Sequence, residues 1–92
     1  MSIQWLYDVI QQRRDRPTEG SYTSSLFAEG LPKIAQKVGE EASEVIVAAL
    51  AQDDQRLIEE VADLSYHTLV LLAARNISLT HVQSELEQRH KK

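Results

Sequence analysis

The chain has 92 residues, with 10 Lys plus Arg against 14 Asp plus Glu for a formal charge of −4, 42% hydrophobic residues and no cysteine. That composition excludes global disorder, a disulfide framework, a thiolate metal site and a cysteine nucleophile, and it fits a cytoplasmic protein. The acidic balance argues against nucleic acid as a main partner, and no window approaches the roughly 18 consecutive apolar residues of a membrane span.

A chain this short buries only roughly 60 to 65% of the surface exposed when unfolded, so one domain over residues 1–92 that assembles with copies of itself is expected. Trp5, Leu6, Val9 and Ile10 repeat at helical spacing and predict a first helix from about Ser2 to Arg14. Gln4 and Asp8 interrupt that run, which is neither a span nor a signal peptide. Arg13, Arg14 and Arg16 form a local basic cluster, expected to be solvated. From Asp15 to Ser25 a loop is expected, and its hydroxyl-rich end either crosses the surface or presents donors to a ligand.

From Leu31 the stripe Leu31, Ile34, Val38, Ala42, Val45 and Ala49 predicts a long helix to about Ala51, with Pro32 suited to its first turn. Gly39 in its middle suggests close helix packing or ligand access. Gln52 to Gln55 link it to a third helix carrying Leu57, Val61, Leu64, Leu71 and Leu72 up to about Arg75, and the short link makes the two antiparallel neighbours. Asn76 is the expected stop. Ser78 or Thr80 caps a last helix with Leu79, Val82 and Leu86, which frays into Arg89 to Lys92. Nothing alternates with period two over a useful length. The fold class is all-α, an antiparallel bundle of about four helices completed by dimerisation.

The acids of the two central helices carry the chemistry. At about 100° per residue, with Ile34 at zero, Glu41 falls near −20°, Lys37 near −60° and Glu44 near −80°, along one edge of the apolar stripe. On the next helix, with Leu57 at zero, Glu60 falls near −60°, His67 near −80° and Asp63 near −120°. If the stripes face each other, four carboxylates share one site. Such a cluster opposes its own ionisation unless a cation is present, and oxygen-only ligands on rigid helices suit Mg²⁺, with Mn²⁺ as a substitute. His67 stands alone, which disfavours zinc. A cation held this way serves phosphoryl chemistry, with Lys37 one turn before Glu41 placed to hold a phosphate. The bland alternatives are a solvated acidic face and a simple i,i+4 pair.

Glu40-Glu41-Ala42-Ser43-Glu44, fifteen residues, and Glu60-Val61-Ala62-Asp63 resemble the EExxE and ExxD signature of the MazG-like all-α nucleoside triphosphate pyrophosphatases. The segments Ser21 to Phe27, Gly30 to Ile34 and Ala62 to Leu72 resemble one branch, the phosphoribosyl-ATP pyrophosphatases of histidine biosynthesis, and the likeness covers about Ile3 to Arg89. The resemblance implies Mg²⁺-dependent hydrolysis of phosphoribosyl-ATP at the α,β phosphoanhydride, releasing pyrophosphate and phosphoribosyl-AMP, by a homodimer or larger assembly. It assigns Glu41, Glu44, Glu60 and Asp63 as metal ligands and Lys37 as a phosphate contact. Tyr22, Thr23, Ser24, Ser25 and Lys33 follow as further substrate contacts. Ser65 and Asn76 depart from the branch pattern outside the acidic motif. A housekeeping nucleotide pyrophosphatase using the same acids and a non-catalytic helical dimerisation module are the competing readings.

Overall fold

In the computed structural model, which describes residues 1–91, five helices follow one another: α1 (Ile3–Asp15), α2 (Tyr22–Glu29), α3 (Leu31–Ala51), α4 (Asp54–Ala74) and α5 (Leu79–Arg89). Lys92, the end of the tail expected to fray, lies outside the described residues. Four of the helices start where a side-chain oxygen accepts an otherwise unpartnered backbone N–H: Ser2 from Trp5, Ser21 from Ser24, Asp53 from Arg56 and Ser78 from His81. The fifth, α3, starts at Gly30 with proline in its first turn. Gly30, at φ 96°, ends α2 and opens α3 in one residue, a backbone conformation that favours glycine.

One helix is additional to the periodicity. α2 begins at Tyr22, inside the stretch expected to be loop to Ser25. Its eight residues bury only Ser24 and Leu26, too few to display a 3.6-residue repeat, and the Ser21 cap supplies the start that hydrophobic spacing does not.

α3 and α4 lie antiparallel, with α1 against the second half of α4 and α2 against both α1 and α3. The core gathers at one end of this pair, where Tyr7, Ile10, Leu26, Ile34, Leu69, Val70, Ala73 and Leu79 are buried together. The α3 stripe is rotated from the expected one: Ile34, Glu41 and Ala48 are buried, whereas Leu31 and Ala49 are exposed. On α4 the buried positions are Glu60, His67, Leu69, Val70 and Ala73, while Val61 is exposed. The expected stripes assumed that charged residues lie outside. Glu41 and Glu60 are instead in the interface, and each helix turns to admit its acid.

The C-terminus of α4 is closed by Asn76 at φ 57°, with Asn76 N–H donating to the Ala73 carbonyl and Ile77 N–H to that of Leu72. This is a Schellman arrangement with asparagine in the place glycine usually takes. α1 is tied to it. The Tyr7 hydroxyl donates to the Ile77 carbonyl, and Arg14 donates to the Ala73 carbonyl at 2.7 Å and to Asn76 Oδ1 at 3.1 Å. Arg14 therefore departs from the solvated cluster expected at residues 13–16: a helix end with open carbonyls and partial negative charge is a better environment for its guanidinium. Gly39 does not meet the expectation of close helix packing, since a Cβ added there finds nothing within 4 Å.

Candidate active site

The acids come together where the second half of α3 passes the first half of α4. Carboxylate oxygens of Glu41, Glu60 and Asp63 lie within 4.8 Å of one another. Glu41 and Glu60 are buried, 5% and 4% exposed, and Asp63 is exposed at the rim. Each buried acid has one cation beside it on its own helix. Lys37 Nζ lies 3.5 Å from Glu41 Oε1, and Arg56 Nη2 donates to Glu60 Oε1 at 2.8 Å. These are i,i+4 pairs, so helix geometry alone sets them in reach.

The second oxygens carry the information. Oε2 of Glu41 and Oε2 of Glu60 are both buried without a hydrogen-bond partner. A carboxylate loses several kcal/mol of hydration on leaving water, roughly, unless partners replace it, and two such oxygens facing one space fit a cation between them. Glu44, exposed at the mouth, hydrogen-bonds with Glu60 and with Glu41, and their negative charge adds to the effect; its carboxyl is pushed up to about 7. Without a cation the cluster thus retains a proton near neutrality. Ser43, Glu44, Val47, Gln52, Arg56 and Glu60 line an adjoining cleft of about 280 Å³.

Lys37 has its pKa raised overall. Burial, the largest influence, lowers it, but Tyr22, Glu41 and Glu40 together outweigh that. Lys33 lies one turn earlier on the same helix, half-buried. Among the hydroxyls of α2 the roles divide. Tyr22 is half exposed and its hydroxyl lies 3.0 Å from His67 Nε2. Thr23 is bonded to the Tyr66 hydroxyl. Ser24 is buried, accepting from Thr18 N–H and donating to the Arg13 carbonyl, so its hydroxyl is engaged within the fold. Ser25 is exposed and donates back to the Tyr22 carbonyl.

Residues 3–90 match the family described as phosphoribosyl-ATP pyrophosphohydrolase. The chain belongs to that family. Among its relatives, the phosphoribosyl-ATP pyrophosphatase of Clostridium botulinum (strain Kyoto / Type A2) is 50% identical over 90 residues, covering 98% of this chain and 82% of the relative. The proteins of the same name from Listeria welshimeri serovar 6b and Listeria monocytogenes serovar 1/2a are each 56% identical over 87 residues, covering 95% of this chain and 84% of the relative. The family so named is one of phosphoanhydride hydrolases, and the acidic cluster lies within the matched residues.

Arg56 is the residue that the spacing argument passes over. It bridges Glu59 and Glu60 and lines the cleft. Its signal was present, because Arg56 stands four residues before Glu60 but Lys37 stands four before Glu41, and the two pairs mirror each other across the helices.

Proposed function

We propose that this chain hydrolyses phosphoribosyl-ATP to phosphoribosyl-AMP and pyrophosphate, the second step of histidine biosynthesis, as one catalytic domain working in the cytoplasm. The observation that carries the chemistry is the pair of buried, unpartnered oxygens on Glu41 and Glu60, with Asp63 in reach and Glu44 at the mouth. The carboxylate donor set suits Mg²⁺, with Mn²⁺ able to substitute; Glu41, Glu44, Glu60 and Asp63 would hold it. The chemistry such a cation supplies is neutralisation of phosphate oxygens and acidification of an attacking water.

The chain's own groups do the rest. Lys37, in contact with Glu41, is placed to turn its ammonium to a phosphate oxygen and to stabilise the charge that accumulates as the bridging bond breaks. Lys33, one turn away, extends the positive rail for the phosphate chain. Tyr22, Thr23 and Ser25 lie on α2 at the side of the site, where the nucleoside would be met, while Ser24 serves this surface by anchoring α2 to the end of α1. Large apolar side chains remain exposed beyond the acids, with Ile46, Val47, Leu50, Ile58 and Val61 between 44% and 84% accessible. A surface of that kind at the α3–α4 end supports a homodimer or larger homo-oligomer.

The test is pyrophosphate release from phosphoribosyl-ATP beside a panel of ordinary and deoxy nucleoside triphosphates, each with Mg²⁺ and with EDTA. Turnover of phosphoribosyl-ATP alone, abolished by EDTA, is the expected result. Turnover of the panel instead would keep the acidic site and assign a housekeeping pyrophosphatase, and no turnover of any substrate would refute both.

A further inference from the structure

His67 is buried, 4% exposed, one turn after Asp63 on α4, and both of its ring nitrogens are engaged. Nδ1 lies 2.8 Å from the backbone carbonyl oxygen of Asp63, and Nε2 lies 3.0 Å from the Tyr22 hydroxyl. A carbonyl can only accept, so in the neutral imidazole the proton is on Nδ1 and Nε2 is an acceptor. Tyr22 must then donate its only hydroxyl proton to His67. The rings are packed together around this bond: Tyr66 stands edge-on to His67 with centroids 5.0 Å apart and stacks on Tyr22 at 6.3 Å, while its own hydroxyl is tied to Thr23.

We infer that His67 is a positioning residue which commits the Tyr22 proton to its own Nε2 and thereby presents Tyr22 to the nucleotide as an acceptor-only oxygen, matched to a hydroxyl or amine of the phosphoribosyl-nucleoside and not to a phosphate. This inference rests on the proposed reaction for its ligand, but not for the hydrogen bond itself. A free tyrosine hydroxyl beside an anionic substrate would donate to phosphate oxygens. One whose proton is already taken offers them only lone pairs, and favours donor groups instead. The division of labour follows: phosphates are met by Lys37, Lys33 and the cation side of the site, the nucleoside by α2. Because the same imidazole is anchored to the Asp63 carbonyl, the distance from α2 to the acids is set through one ring.

Two readouts test this on the full chain. In protein labelled with ¹⁵N-histidine at about pH 8, His67 should show a protonated Nδ1 and a hydrogen-bonded, unprotonated Nε2. Tyr22→Phe should move only the Nε2 resonance, toward its unbonded value. A proton on Nε2, or an Nε2 resonance that ignores Tyr22→Phe, would overturn the inference. In steady-state assays with phosphoribosyl-ATP and Mg²⁺, Tyr22→Phe and His67→Leu should each raise KM about three- to tenfold with kcat changed less than about threefold, and the double variant should be no worse than either. KM penalties that multiply would show two independent roles and refute the coupling. Tyr22→Phe removes one atom from a half-exposed ring, so the inference stays testable should His67→Leu fail to fold. A wild-type chain that does not turn over phosphoribosyl-ATP refutes the proposed function, and the ¹⁵N result still decides the hydrogen bond.

Discussion

The two ends of the α3–α4 pair solve the problem of buried polar groups in opposite ways. At the end where α1 and α2 cross, polar side chains drawn inward have partners: Tyr7 on Ile77, Arg14 on Ala73 and Asn76, Ser24 between Thr18 and Arg13. At the other end Glu41 and Glu60 are as deeply buried, yet each keeps an oxygen with none. The first arrangement stabilises the fold and the second costs stability, because like charges are held together away from water. The satisfied polar contacts and the proposed chemistry thus lie at separate ends of one helical hairpin, and substitutions should divide accordingly.

The sharpest division is expected at Asp63 and Glu41. Changing either to alanine should reduce turnover of phosphoribosyl-ATP by roughly 10³-fold or more, of the order seen when preorganised charge stabilisation is removed. Circular dichroism should show the helical content kept, and the unfolding temperature without Mg²⁺ should not fall for Asp63→Ala, since one repelling charge has gone. Near-wild-type rates in either variant would break the comparison at its functional end. At the other end, Ile34→Ala removes a side chain with no exposure and should cost about 2 to 5 kcal/mol in urea unfolding, through lost burial and the cavity left behind.

The helices of this hairpin were legible in the sequence, with α3 placed from Leu31 to Ala51 and α4 ending one residue before the expected Arg75. Long amphipathic segments with caps at both ends determine their own limits. The phase of the buried faces was less legible: a rule that puts charge outside sets Glu41 and Glu60 at an edge, whereas the interface buries both, each with a cationic side chain one turn earlier on its own helix. The meeting of the acids could be read from spacing, since carboxylates one turn apart on each of two adjacent helices can face one another, and those of Glu41, Glu60 and Asp63 do lie within 4.8 Å; what they do there spacing alone leaves open to a solvated-face reading. The Tyr22–His67 contact could not, because it joins residues 45 apart through a helix too short to announce itself. Arg14 was missed for a related reason, as the carbonyls it meets exist only once α4 has ended and α1 has docked.

A smaller effect sharpens the comparison through pH. Glu44, raised to about 7 by hydrogen bonding with Glu60 and Glu41, binds its proton more tightly in the folded chain than in the unfolded one. Its contribution therefore favours folding at low pH and is lost as pH rises from about 4.5 through about 7. On the proposed site Mg²⁺ would compete with that proton for the same oxygens, so its increase of the unfolding temperature should be larger at about pH 8 than at about pH 5.5. An increase independent of pH would separate the cation from this cluster. The smallest expected change is at Gly39, mid-helix and open around its missing Cβ: Gly39→Ala should stabilise by about 0.5 to 1 kcal/mol in chemical denaturation, with turnover unchanged.

Gly30 leaves no slack between α2 and α3. With a single residue serving as the end of one helix and the start of the next, α2 acts as a lever about 12 Å long, pivoted at its C-terminus and carrying Tyr22 at its tip. A swing of about 10° at that pivot displaces the tip by roughly 2 Å, enough to break a hydrogen bond. The Tyr22–His67 and Thr23–Tyr66 contacts lie at the far end of the lever, where a restraint has the greatest mechanical advantage. The eight residues of α2 thus act as a gauge, with the glycine as its hinge pin and the aromatic cluster as its stop.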